Sequence, residues 1–227
     1  MIYLTGDTHI PLDISKLNTT RFPVQNILTR DDYVIILGDF GLYWHKDKEY
    51  EYWLNWLKQK KFTILWLDGN HENHEWIDSF PVTYWNGGRV HQTEDNIIHL
   101  MRGEVYNIDG ITFFTCGGGT SIDRLERVEG IDWWARENIS YTEQINAIDN
   151  LKNHNNSVDY ILTHSICPEI VSEMFHINDT LGIGTTERFL SNVLKTTKFK
   201  KWYFGHWHID MNYNNFQCLY DDVVALV

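Results

Sequence analysis

Sulfur, basic charge and long apolar runs are all scarce in this chain. Its 227 residues include three cysteines, Cys116, Cys167 and Cys218, odd in number and widely spaced. No Cys-x-x-Cys occurs, so neither a disulfide framework nor a zinc knuckle is indicated. Lysine and arginine total 19 against 31 aspartates and glutamates, a net charge of −12. That balance excludes a generic basic surface and weighs against a nucleic-acid partner. The acidity itself reads as solubility. No apolar stretch is long enough for a membrane span, and no basic n-region with an apolar h-region opens the chain. No membrane partner is expected, and a reducing cytoplasm is the expected compartment. No repeat, low-complexity tract or Pro/Gly/Ser-rich linker interrupts the sequence, so residues 1–227 are expected to form a single domain. The oligomeric state is not legible.

What is present points to a folded globule: 43 % of residues are hydrophobic and 15 % aromatic, ten of them Trp. Five short apolar runs, at 1–5, 33–37, 62–67, 159–163 and 201–204, are rich in β-branched or aromatic residues, and each stops at a polar motif. Continuous apolar runs suit strands covered on both faces. In open α/β sheets, sites gather at the carboxyl ends of strands. The five ends are therefore expected to meet at one crevice. Residues 97–100 and 111–115 also read as strands, and 211–227 as strands about an Asn214-Asn215 turn. Helices are predicted over 46–61, from a Ser140-Tyr141-Thr142-Glu143 capping box through Leu151, and over 185–194. Alternating strands and helices with a strand-rich end imply an α/β fold with mixed sheets.

The motifs at the strand ends are Gly6-Asp7-Thr8-His9, Gly38-Asp39, Gly69-Asn70-His71-Glu72, Thr163-His164 and Gly205-His206-Trp207-His208. They offer carboxylate, amide and imidazole donors and no thiolate. Two Asp, one Asn and four His suffice to hold two divalent ions. Mixed N/O donors admit Mn, Fe, Zn, Co or Ni, and four imidazoles argue against Mg²⁺ or Ca²⁺. A pair of such ions generates hydroxide near neutral pH and clamps a phosphate. The departing oxygen needs a proton, and His71, beside Asn70, is the candidate general acid. Glu72 is placed to orient His71 or another site group through a hydrogen bond.

In this order, Asp-x-His, Gly-Asp, Gly-Asn-His-Glu, a lone His and Gly-His-x-His resemble the calcineurin-like metallophosphoesterase superfamily. The resemblance implies a four-layer sandwich of two mixed β-sheets flanked by helices. It implies one metal on Asp7, His9, Asp39 and His208, and another on Asp39, Asn70, His164 and His206, with Asp39 bridging. It further implies a dinuclear metal-dependent hydrolase of phosphate esters, monoester or diester, in which a metal-bridging hydroxide attacks phosphorus in line. The phosphoprotein-phosphatase branch carries arginines after its Gly-Asp and before its Gly-Asn-His-Glu. Here those places read Phe40-Gly41 and Leu67-Asp68, so protein dephosphorylation is not expected. The chain looks more like small bacterial or phage members that join Gly-Asp-Phe-Gly to a glycine run and a Trp-Trp pair.

That run, Gly117-Gly118-Gly119, is either a phosphate cradle or a tight turn beside a crowded site. It lacks the Lys-Ser/Thr of a P-loop. With Asp123, Arg124, Arg127, Trp133, Trp134 and Arg136 it marks residues 117–138 as a candidate lid or specificity segment, Asn70, Arg124 and Arg127 being the candidate substrate contacts. His45 and His74 lie near enough to motifs to reach substrate. The alternatives to a phosphoesterase are a catalytically silent scaffold of the same fold and a nuclease.

Overall fold

Side chains alternate faces along a strand, and here that alternation sorts apolar residues into separate layers. The structure, a computed structural model, describes residues 1–177 and 182–226. In chain order its elements are β1 (Ile2–Thr5), β2 (Tyr33–Ile36), α1 (Lys48–Lys58), β3 (Thr63–Trp66), α2 (His74–Asp78), β4 (Val82–Trp85), β5 (Gly88–Glu94), β6 (Ile97–Leu100), β7 (Glu104–Ile108), β8 (Ile111–Cys116), α3 (Tyr141–Asn153), β9 (Tyr160–Thr163), α4 (Pro168–Phe175), α5 (Thr185–Thr196), β10 (Lys201–Phe204), β11 (Met211–Tyr213), β12 (Phe216–Cys218) and β13 (Val224–Ala225).

Among the described residues these strands form a seven-stranded sheet, β13-β1-β2-β3-β6-β5-β4, and a six-stranded sheet, β11-β12-β10-β9-β8-β7. Both are mixed. The centres are parallel, as in β1-β2-β3-β6 and β12-β10-β9-β8. The edges are antiparallel.

Ile2, Leu4, Ile35, Leu37, Leu65 and Leu67 of the first sheet share one buried cluster with Tyr106, Phe113, Leu162 and Tyr203 of the second, so the sheets pack face to face. The intervening residues Tyr3, Val34, Ile36, Ile64 and Trp66 point outward against Leu57 and the α1 side. Phe114, Ile161, Trp202 and Phe204 point outward against α3, α4 and α5. Helices, two sheets and helices make four layers, the α/β sandwich expected.

Local chemistry sets the helix starts. Asp47 caps α1 by accepting from the Tyr50 amide at 2.9 Å. Ser140 and Glu143 form the reciprocal box that opens α3. Trp53 and Trp56 of α1 pack at the margin of the core.

Two hairpins carry clear turn signals: Asn86-Gly87 between β4 and β5, and Asp109-Gly110 between β7 and β8. All four of these residues take positive φ. The C-terminal stretch divides. β11 and β12 pair about Asn214-Asn215 in the second sheet, while β13 crosses to the edge of the first. Val227 lies outside the described residues. No helix among the described residues is long and apolar enough to cross a membrane.

Candidate metal centre

The loops leaving β1, β2, β3, β9 and β10 meet at one end of the sandwich, and glycines let them close. A Cβ on Gly69 would stand 1.9 Å from Asp39 Oδ1, and one on Gly205 would stand 2.3 Å from Asp7 Oδ1. The Thr8 and His9 amides donate to the Asp39 carbonyl at 3.0 and 2.8 Å, tying the first loop to the second. His9, Asp39, His206 and His208 all sit at positive φ, 32°, 46°, 68° and 48°. Non-glycine residues adopt that region at a cost of order 1–3 kcal/mol each, and such residues gather where side chains must be aimed. Trp207, between the two histidines, turns away and stacks on Phe175 at 4.6 Å.

Asp7, His9, Asp39 and His208 bring one donor atom each to within 4.8 Å of one another. His208 Nε2 lies 3.1 Å from Asp7 Oδ2, and His9 Nε2 lies 3.1 Å from Asp39 Oδ2. Asp39 turns its other oxygen the opposite way: Oδ1 is 3.5 Å from His164 Nε2. His164 Nε2 and His206 Nδ1 each lie 2.9 Å from Asn70 Oδ1. All seven motif residues are therefore gathered, as two groups that share Asp39.

The hydrogen bonds around Asn70 test whether a cation fits. The Glu137 carboxylate accepts from the Ser121 hydroxyl at 2.6 Å, which leaves Ser121 Oγ to accept from Asn70 Nδ2 at 3.0 Å. That fixes the amide with Oδ1 toward the histidines. His164 Nδ1 is 2.8 Å from the Leu37 carbonyl, which can only accept, so Nδ1 holds the proton. In neutral His164, the Nε2 lone pair then faces the Asn70 oxygen lone pair. Two acceptors 2.9 Å apart call for positive charge between them or beside them. Asp7 and Asp39 are buried and raise each other's affinity for protons. Their ion-pair partners among the described residues are imidazoles alone. The donor set fits divalent ions.

Burial opposes ionisation of Asp39, but His164, His9 and His71 outweigh it and hold the carboxyl well below its ordinary value. Asp7 is lowered too: burial acts against His208, His164 and the His206 amide. Burial also opposes the charge on His9, yet Asp39, Asp7 and Asp13 raise it to about 9. His206, buried and beside His164, falls to about 4.

His71 lines the cavity in front of the centre and donates its amide to Asp39 Oδ1 at 2.8 Å. Burial lowers its pKa, Arg127 and neighbouring imidazoles add to that, and Asp39 opposes it. Glu72 takes a different part from the orientation of His71. Its Oε1 accepts from the Phe40 amide at 2.6 Å and so props the loop that carries Asp39. Burial, with the Asp39 charge, raises its carboxyl well above the ordinary value.

The glycine run is a turn. The Gly118 and Gly119 amides are already given to the Asp68 and Glu137 carbonyls, at 2.7 and 3.2 Å. Around the run, 117–121 is buried, and so are Trp134 and Glu137, while most of 122–133 is exposed. Arg127 pairs with Asp123 at 2.6 Å, Arg136 pairs with Asp78 and Glu143, and Arg124 is exposed and outside the cavity lining. His74 is buried beside Asp68, away from the cavity, and His45 is exposed.

Sequence reasoning missed Asp13, which holds His9 Nδ1 at 2.8 Å, and the pair Ser121–Glu137. It also missed Lys16, whose buried ammonium donates to the Asp7 carbonyl at 2.6 Å. No spacing rule marks any of them.

The family model for calcineurin-like phosphoesterases matches residues 1–210. No curated protein matches the chain. Among solved structures it is similar to a phosphopantetheinyl hydrolase from Mycobacterium tuberculosis, with TM-score 0.42 and 13 % identity over 96 % of this chain and 87 % of that one.

Proposed function

Because the chain belongs to the calcineurin-like phosphoesterase family, we propose that it is a two-ion, metal-dependent hydrolase of phosphate esters. One observation carries the proposal: Asp39 turns one oxygen to His9 at 3.1 Å and the other to His164 at 3.5 Å. Asp7, His9, Asp39 and His208 would hold one ion, and Asp39, Asn70, His164 and His206 the other. The mixed N/O donors suit Mn, Fe, Zn, Co or Ni. Bound there, the ions supply an activated water and charge to neutralise phosphate oxygens.

The chain's own residues do the rest. Asp13 fixes the His9 ring, and Ser121 with Glu137 fixes the Asn70 amide, so no donor has to reorganise when substrate enters. The attacking oxygen bonds to phosphorus as the opposite ester bond breaks. His71, on the cavity side, gives its proton to the departing oxygen and recovers one released by the water. Residues 1–227 act as one domain in which 117–138 braces the centre and shapes the cavity. The three cysteines are free and buried, in keeping with a reducing cytoplasm.

The test is elemental analysis of metal-reconstituted protein together with hydrolysis of p-nitrophenyl mono- and diesters. Two ions per chain and turnover lost on chelation are expected. Full metal loading without hydrolysis of any ester would favour the silent scaffold, and cleavage of DNA or RNA alone would favour the nuclease.

A further inference from the structure

The centre opens into a cavity of ≈ 360 Å³ whose lining mixes two chemistries. Asp39, Asn70, His71, His206 and His208 bring the centre's polar groups to it. Ile122, Ile166, Val171, Ile177, Ile183 and Trp207 supply most of its apolar wall. The five aliphatic side chains offer a phosphate only dispersion and the removal of apolar surface from water, and Trp207 adds a single indole N–H, buried and without a hydrogen-bond partner among the described residues. No lysine or arginine is among the described residues that line the cavity. Its two further carboxylates are Asp123, already neutralised by Arg127 at 2.6 Å, and Glu187. Glu187 accepts from the Thr120 and Gly184 amides and the Thr120 hydroxyl, at 3.1, 2.8 and 2.8 Å.

The third free oxygen of a phosphomonoester dianion needs positive charge beyond what the centre supplies. This cavity adds no lysine or arginine among its described lining residues to supply that charge, and brings the Glu187 carboxylate instead. A phosphodiester carries one negative charge and replaces that oxygen with an ester group. Beyond Ile122, which is 72 % exposed, the same segment presents Leu125, Val128 and Ile131 to solvent, 94 %, 56 % and 60 % exposed. The apolar character of the wall thus continues along the chain as it leaves the cavity.

We infer that the site takes phosphodiesters one of whose ester groups is apolar, seated on the isoleucine wall. This rests on the hydrolytic reading above. Hydrolysis of such a diester joins a water oxygen to phosphorus, breaks one phosphorus–oxygen ester bond, and releases an alcohol and a phosphomonoester.

Binding tests the inference apart from turnover. Phosphinates are inert monoanions, and phosphonates of the same chain length take on a second negative charge in alkaline buffer, where the two are compared. Calorimetry of Mn²⁺-reconstituted protein should show hexyl(methyl)phosphinate binding at least ~10-fold tighter than dimethylphosphinate, the equivalent of burying about two methylenes. Its heat-capacity change should be the more negative of the two. Hexylphosphonate should bind no tighter than the hexyl phosphinate. In turnover, kcat/KM for p-nitrophenyl alkyl phosphates should rise from methyl to hexyl, mainly through KM. Ile122→Ser, at an exposed position that does not threaten folding, should reduce the hexyl-to-methyl ratio several-fold, and Ile122→Leu should restore it. A flat chain-length series, or tighter binding of the phosphonate or of inorganic phosphate, overturns the inference while the hydrolase stands. Absence of ion uptake, or of hydrolysis of every ester, overturns the hydrolase reading itself.

Discussion

The turns that end β1, β2, β3, β9 and β10 and the polar layer directly behind them both bury charge, and they resolve it differently. In front, Asp7 and Asp39 face imidazoles and each other, and lone pairs meet across the Asn70 amide. Behind, Asp68 is matched by the Arg102 guanidinium, Nε at 2.7 Å, and by His99 Nε2 at 3.2 Å. Four of the front residues hold left-handed backbone, and none of Asp68, His74, His91, His99 and Arg102 does. Buried carboxylates answered by imidazoles alone mark a place prepared for a cation. A buried carboxylate answered by a guanidinium marks scaffold. Substitutions in front should therefore change ions and turnover, and substitutions behind should change stability.

The sharpest way to break that contrast is Asp39→Asn, which keeps shape and tolerance of positive φ while removing the shared charge. Turnover should fall by more than ~10⁴-fold, above what losing an acid alone costs. One ion equivalent should go with it. An unaltered ion count would sink the shared-ligand geometry. Next comes His71→Ala. Because His71 is outside the donor set, it should lower kcat by ~10²–10⁴-fold with full metal content. Loss of metal in that variant would move His71 from proton donor to ligand.

The front was legible in the sequence because its chemistry restricts it to a few residue types at fixed strand ends. Asp7, His9, Asp39, Asn70, His164, His206 and His208 were all named, and the structure gathers them. The brace was not legible. Ser121 and Glu137 stand 51 and 67 positions beyond Asn70, and any hydroxyl and carboxylate of the right reach would satisfy the same bonds. The glycine run read as either a cradle or a turn, without the Lys-Ser/Thr of a P-loop, until the Gly118 and Gly119 amides were seen to be spent on Asp68 and Glu137. In the fold, parallel strands with continuous apolar runs stood out. β4 has mostly exposed side chains and no such run, and its Asn-Gly turn was the signal overlooked. β7 was likewise passed over beside its Asp-Gly turn.

Glu137→Gln probes the joint between the two regions. It puts an amide N–H where Ser121 brings two donors, so the Asn70 amide loses its fixed orientation. Metal affinity and kcat should each fall ~10–100-fold, with far-UV circular dichroism unchanged. Behind the joint, acid should act on stability. Burial, with the charge of His99, lowers His91 to about 4, and burial, with Arg102, lowers His74 to about 3. Both folded values lie below the unfolded 6.5, so the unfolded chain binds the extra protons. The stability these rings contribute is whole above pH 6.5 and is lost as pH falls toward 4. Each contributes a slope of ~1.4 kcal/mol per pH unit. His91→Phe should remove about half of the combined slope in urea titrations of metal-free protein. An unchanged slope would mean that the ring already titrates as it does in water.

The smallest effects are expected in the exposed middle of 117–138, and they separate two arginines that look alike in sequence. Arg127→Ala unpairs Asp123, a cavity carboxylate, and should raise KM for an anionic ester several-fold with kcat nearly constant. Arg124 lies on an exposed turn outside the cavity lining. Arg124→Ala should leave kcat/KM within about twofold and stability within ~0.5 kcal/mol, as surface substitutions do. A tenfold loss from Arg124→Ala would require this segment to fold over the bound ester and bring the guanidinium to the phosphate. That would make the segment a closing lid, and the isoleucine wall would be only half of the binding surface.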